Sequence, residues 1–273
     1  LRQALLADGE LNLADIRRIA RFKREQGGSA VEMEIPEATL EEVGGFARLK
    51  TWIAQRQPVF LNPALAPGLP PPKGLLLLGV QGAGKSLAAK AIAGSWKVPL
   101  LRLDFGALFN KFIGETEKNL RAALADAERL APCVLWLDEI EKGLSAGDAD
   151  DGTARRMLGT LLTWMSERTT PVFLIATAND VSRLPPELFR KGRFDELFFV
   201  DLPTPEVRAT IFSIHLKKRG LDMAAFDLAA LAAASAGYAG AEIEQAVIAA
   251  LYAALAGGAA ATQAHVEREL AAT

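Results

Sequence analysis

The sequence is poor in the residues that build disulfide frameworks and metal centres. Among 273 residues it has one cysteine, Cys133, and two histidines, His215 and His265. A disulfide within the chain is therefore excluded, which suits a reducing compartment. Cys133 lies in the apolar run "APCVLWLDE" and reads as a small buried thiol rather than a nucleophile. Neither histidine stands in a metal-ligand spacing such as H-E-x-x-H. An excess of positive charge is also missing. Lys and Arg number 31 against 33 Asp and Glu, giving a net charge of -2 and a pI of about 5.9. Such a balance gives no general drive toward nucleic acid or an acidic membrane. The longest uncharged stretch, 246–264, is mostly Ala, is broken by Gly257 and Gly258, and contains Thr262 and Gln263. It reads as packed helices, because a membrane span needs about 20 strongly apolar residues. The opening "LRQALLADGE" has no Met and no signal-peptide pattern, as expected of a fragment or a processed chain. No internal repeat is visible.

Half the residues are hydrophobic and 23% are charged, an ordinary balance for a globular chain with room for one large domain and a small one. Residues 1–37, with apolar positions at helical spacing and Asn12 as a cap, are expected to form a helical appendage or linker. Short apolar runs then alternate with helical patterns. Strands are expected at 74–79, 99–104, 133–138, 172–178 and 197–203. Near-continuous apolar strands separated by helices indicate a buried parallel sheet, hence an α/β large domain over 38–203. Beyond Pro203 only helical patterns follow, so 204–273 is expected to be a small all-α lid.

The run "GVQGAGKS", residues 79–86, matches G-x-x-x-x-G-K-[ST] between a predicted strand and a predicted helix. Glycines let successive backbone N–H groups converge on phosphate oxygens, and the N-terminus of the helix adds to the attraction. Lys85 would reach the β- and γ-phosphates of ATP, and Ser86 would ligate Mg²⁺. Gln81, Gly82, Ala83, Gly84 and Leu87 complete the candidate loop. In "CVLWLDE", Asp138 ends an apolar strand, where open α/β sheets place their ligands. It can hold Mg²⁺ through water, and Glu139 can polarise an attacking water. A solvated strand end is the bland reading of this acidic pair; the Gly-rich loop at this distance argues against it.

With these motifs the sequence resembles the AAA+ ATPases of the classical AAA clade, P-loop NTPases with a parallel sheet followed by a helical lid. Within the clade it is similar to the cyanobacterial and plastid proteins known as hypothetical chloroplast reading frames. The resemblance covers about 230 residues and is carried by "PKGLLLLGVQGAGKSLAAKAIAGSWKVPLLRLD", "APCVLWLDEIEK", "LPPELFRKGRFDELFFVDLP" and "GYAGAEIEQAV". It implies that Asn179 holds the lytic water or the γ-phosphate, with a turn cap as the alternative. It implies that the backbone at Val43 and Gly44 contacts adenine, and that Gly240 and Ala241 of the lid pack on the nucleotide. His215 would lie near the ribose and base, with a plain surface histidine as the competing reading. Arg190 and Arg193 would project into the nucleotide site of a neighbouring subunit. This task suits a planar, permanently charged guanidinium. A finger acting in trans requires a homo-oligomer, and the resemblance implies a hexameric ring. It also implies a place in the cytoplasm, or in the plastid stroma of a plastid-bearing source.

The resemblance further implies that Phe112, Ile113 and Gly114, preceded by Lys111, face a central pore and grip an extended polypeptide. Burial of Phe112 beside Phe109 is the alternative. The stretch "GDADDGTARR" would form a second pore-facing loop with Arg155 and Arg156 at its basic edge. The expected function is an ATP-driven ring motor that remodels or threads a protein partner. An ATP-gated assembly or binding switch without threading is the second reading, and it gains if Phe112→Ala spares every ATP-dependent effect on the partner. A P-loop kinase acting on a small acceptor leaves the arginine pair and the lid unexplained. Lack of H-E-x-x-H separates the chain from the membrane-anchored AAA proteases.

Overall fold

In the computed structural model, residues 31–105, 115–144 and 151–272 are described. The period-two alternation of the strands sorts their side chains onto two apolar faces. Strands β1 (Glu32–Glu34), β2 (Gly74–Gly79), β3 (Leu100–Asp104), β4 (Cys133–Asp138), β5 (Val172–Ala178) and β6 (Glu196–Val200) form one sheet, in the order β1-β3-β4-β5-β2-β6. The last five elements of that order are mutually parallel, and β1 runs antiparallel to β3 at the edge. Leu76, Leu78, Leu101, Leu103, Leu135, Leu137 and Leu174 point to one face. There they meet α3 (Glu115–Arg129) through Leu120 and Leu124, and α5 (Asp151–Glu167) through Met157, Leu161 and Met165; the short α4 (Glu141–Leu144) lies between these helices in the chain.

The residues in between, Leu75, Leu77, Val134, Trp136, Phe173 and Ile175, point to the other face. They are covered by α1 (Ala47–Leu61) and α2 (Lys85–Trp96). Phe60, Trp96, Phe173 and Trp52 form an aromatic cluster there, with ring centroids 4.6–6.2 Å apart. Tilted and edge-to-face pairs of this kind add about 0.5–1.5 kcal/mol each beyond the area they bury. Helices α6 (Pro205–Lys218), α7 (Leu228–Ala234), α8 (Gly240–Ala256) and α9 (Gln263–Ala272) share a separate core that includes Phe212, Leu216, Leu231, Ile243, Val247 and Leu270. Thr204 caps α6 ahead of Pro205, and Asp227 caps α7 by accepting from the N–H groups of Ala229 and Ala230.

The mixed α/β fold with a helical C-terminal part agrees with the sequence expectation. Three local expectations differ. Glu32–Glu34, assigned to the helical appendage 1–37, is an edge strand whose pairing with β3 places Glu32 opposite Arg102. The strand expected at 197–203 ends at Val200, because Pro203 has no N–H for a ladder and Thr204 already caps the next helix. Arg155 and Arg156, expected on a loop edge, stand on α5, where Arg156 pairs with Glu117 of α3. Residues 1–30, with the helix expected around Asn12, and the expected pore residues Phe112, Ile113 and Gly114 lie outside the described residues.

Candidate nucleotide-binding site

The loop between β2 and α2 opens a cleft of about 500 Å³ at the carboxyl end of the parallel strands. A cleft of this size is ordinary for a small-molecule ligand. Gly82 and Gly84 hold φ of 77° and 94°, the left-handed region that residues with a Cβ avoid, and this turns the loop back over the start of α2. Helix α2 has 12 residues, and the N–H groups of its first turn have no intrahelical acceptor. The site thus has the backbone donors and the dipole that a phosphate chain needs.

Gln81, Gly82, Ala83, Gly84, Lys85, Ser86 and Leu87 line the cleft from this side. The Lys85 ammonium donates to the carbonyls of Gly79 and Val80, both at 2.7 Å. Burial pushes its pKa down, against the pull of Glu141, Asp138 and Glu139. Opposite, Asp138 and Glu139 leave the end of β4 and Asn179 leaves the end of β5. The Thr177 hydroxyl donates to Oδ1 of Asp138 at 2.8 Å and accepts the N–H of Glu139 at 3.1 Å. Glu139 needs that support, because its φ of 50° is left-handed and such residues cost about 1–3 kcal/mol. Its Oε1 accepts the side-chain amide of Asn179 at 3.1 Å, and its Oε2 pairs with Lys142. Buried Glu141 accepts the backbone N–H of Asn179 at 3.0 Å. Asn179 is therefore no turn cap; Asp180 caps the following turn by accepting the N–H of Ser182.

The third side comes from Val43 and Gly44, ahead of α1, and from the lid. A Cβ on Gly44 would lie 2.4 Å from Cγ1 of Ile211, so only glycine allows this approach. Ile211, Ile214 and His215 of α6 and Gly240, Ala241 and Glu244 of α8 complete the wall. The lid touches the phosphate loop through its backbone: the N–H of Ala241 donates to the carbonyl of Gly82 at 3.3 Å. His215 is no plain surface residue. Its side chain is 13% exposed, with Nδ1 3.3 Å from Oε1 of Glu244 and 3.2 Å from Nη1 of Arg219. Burial pushes its pKa down, helped by Arg219 and Lys218 and opposed by Glu244.

The structure therefore brings together, around one cleft, every sequence-selected loop, strand-end and lid residue. Arg190 and Arg193 stand apart from it. Arg190 is exposed, and Arg193 bonds the carbonyl of Leu162 and the hydroxyl of Ser166 on α5. Cys133 is fully buried, and burial pushes its thiol up to about 12. Sequence reasoning missed Arg102, Thr177, Glu141 and Glu244. Only Arg102 left a signal, as a cation inside the apolar strand pattern "PLLRLD".

The donor set fits ATP with Mg²⁺. A hydroxyl from Ser86 and a carboxylate from Asp138 flank the loop, and Mg²⁺ at phosphate sites commonly takes one or two protein ligands beside the phosphates and water. Among the described residues, no helix is long and apolar enough to cross a membrane.

Residues 75–202 match the AAA family, described as the ATPase family associated with various cellular activities. The chain is 50% identical over 213 residues to the uncharacterized AAA domain-containing protein ycf46 of Trieres chinensis, covering 77% of this chain and 43% of the relative. It is 47% identical over 225 residues to the protein of the same name from Guillardia theta, covering 81% and 44%. To the cell division cycle protein 48 homolog of Archaeoglobus fulgidus it is 33% identical over 227 residues, covering 78% and 30%. The chain thus spans less than half the length of these relatives.

Proposed function

We propose that the chain, whose residues 75–202 match the AAA family of ATPases, binds ATP in this cleft and hydrolyses it. One observation carries the reading: a phosphate-loop lysine, a carboxylate–amide pair on adjacent strand ends and a helical lid converge on a single cleft. Lys85 neutralises phosphate charge, and the loop N–H groups orient the phosphate chain. Ser86 and Asp138 would hold Mg²⁺, which when bound supplies further charge neutralisation at the phosphates. Glu139 accepts a proton from the attacking water, and Asn179 and Lys142 fix the direction of its carboxylate. Val43, Gly44, His215, Gly240 and Ala241 receive the nucleoside.

The arginine pair lies off its own cleft, which supports action on a neighbouring copy in a homo-oligomeric ring, hexameric in the proposed assembly. Work on a protein partner, by threading past Phe112, Ile113 and Gly114, completes the proposal, and one buried thiol suits the cytoplasm or a plastid stroma. Binding of a fluorescent ATP analogue tests the core of this reading. Wild type should bind, and Lys85→Ala should lose most of its affinity because the cation facing the phosphates is gone. Equal affinity in the two proteins would refute the site assignment.

A further inference from the structure

Asp138 already has a cation. Nη2 of Arg102 lies 2.8 Å from its Oδ2, while its Oδ1 is taken by the Thr177 hydroxyl. Both carboxylate oxygens are therefore engaged by protein groups, and the side chain is 13% exposed. Lys85, the other cation lining the cleft, is directed instead at the carbonyls of Gly79 and Val80. Arg102 stands on β3, two residues before the end of the strand beside β4, and lines the cleft itself. It also has partners away from Asp138. Its Nη1 is 3.9 Å from Oε2 of Glu32 on β1, and its guanidinium lies 4.9 Å from the centroid of the Trp136 ring.

We infer that Arg102 competes with the divalent cation for Asp138 and so sets how much Mg²⁺ the nucleotide site requires. This rests on the nucleotide reading above. A guanidinium stays charged at any physiological pH, so the competition cannot be titrated away. It acts in two ways. It occupies a carboxylate oxygen that a hard cation and its water shell would use, and its positive charge repels a second cation nearby. Glu32 and the Trp136 ring lower the cost of releasing Asp138, because the guanidinium keeps favourable company when the carboxylate is taken. Edge strand β1 thereby gains a say in metal loading, through one carboxylate.

The test is the Mg²⁺ dependence of binding of a fluorescent ATP analogue to the folded chain. Wild-type binding at saturating Mg²⁺ comes first, and its absence would sink both the nucleotide reading and this inference. Arg102→Gln should lower the half-saturating Mg²⁺ by about fivefold, the upper end for a partly exposed ion pair. Its affinity in EDTA should not fall. Arg102→Lys keeps the charge and should stay within about twofold of wild type. Glu32→Gln leaves Arg102 more fully committed to Asp138 and should shift the Mg²⁺ requirement the opposite way, upward. That variant keeps the question open to test if Arg102→Gln does not fold. An unchanged Mg²⁺ requirement in Arg102→Gln would make the pair purely structural. A fall in its EDTA affinity would make Arg102 a direct phosphate ligand. Either result overturns this inference while leaving the nucleotide reading intact.

Discussion

The side-chain amide of Asn179 donates to Oε1 of Glu139 at 3.1 Å, tying together the ends of two neighbouring parallel strands. One carboxylate oxygen is thereby spoken for, and Lys142 holds the other. The direction of the Glu139 carboxylate is thus fixed by its neighbours.

Glu139→Gln should therefore bind ATP as wild type does and hydrolyse it at least ~10²-fold more slowly, the scale of a lost general base. The substitution keeps size and the hydrogen bond from Asn179 but cannot accept a proton from water. Phosphate release at saturating ATP, alongside an affinity measurement, checks both halves. Turnover near wild type would remove Glu139 from the mechanism.

Arg193 raises a different expectation. Substitution to Ala should leave ATP affinity nearly unchanged, because the residue does not line its own cleft, and should slow hydrolysis by ~10²-fold or more. A mixture of Arg193→Ala and Lys85→Ala chains should recover part of the activity that each lacks alone. The first has an intact cleft, and the second can offer its arginine. Since Arg193 also bonds Leu162 and Ser166 within its chain, thermal melting of the single variant should accompany the assay. Co-assembly without any recovery would rule out action in trans.

His215 predicts a pH dependence of stability. Its imidazole sits below the ordinary value of 6.5, chiefly through burial, so the folded chain takes up this proton later than the unfolded chain on acidification. The unfolded state is then favoured as pH falls below that value, and the contribution is whole above it. Melting temperatures between about pH 7.5 and about pH 5.5 should fall more steeply for wild type than for His215→Gln, across the range where an ordinary imidazole titrates. Parallel curves would show that this histidine titrates as an exposed one does.

The sheet was legible because its strands are apolar on both faces, leaving runs such as "GLLLLG" and "CVLWLD" that few other elements produce. Strand β1 was not. Its three residues, Glu-Met-Glu, carry no strand signal of their own and are extended because β3 offers a free edge and Arg102 a charge to face. The phosphate loop and the strand-end acids could be read locally, since each motif is contiguous. Thr177, Glu141 and Arg102 could not, because their roles arise from register: each meets a partner 36 to 39 positions away in sequence. For Glu141 and Asn179 the separation is 38, and the contact reaches a backbone N–H that no side-chain pattern advertises.

The bond from Ala241 to Gly82 joins main chain to main chain. Its donor and acceptor are present whatever side chains evolution places there, so drift in the lid sequence cannot readily sever it. A ligand that reshapes the phosphate loop thus pulls on the amino end of a 17-residue rod, α8, whose far end carries Tyr252 and Leu255 out into solvent.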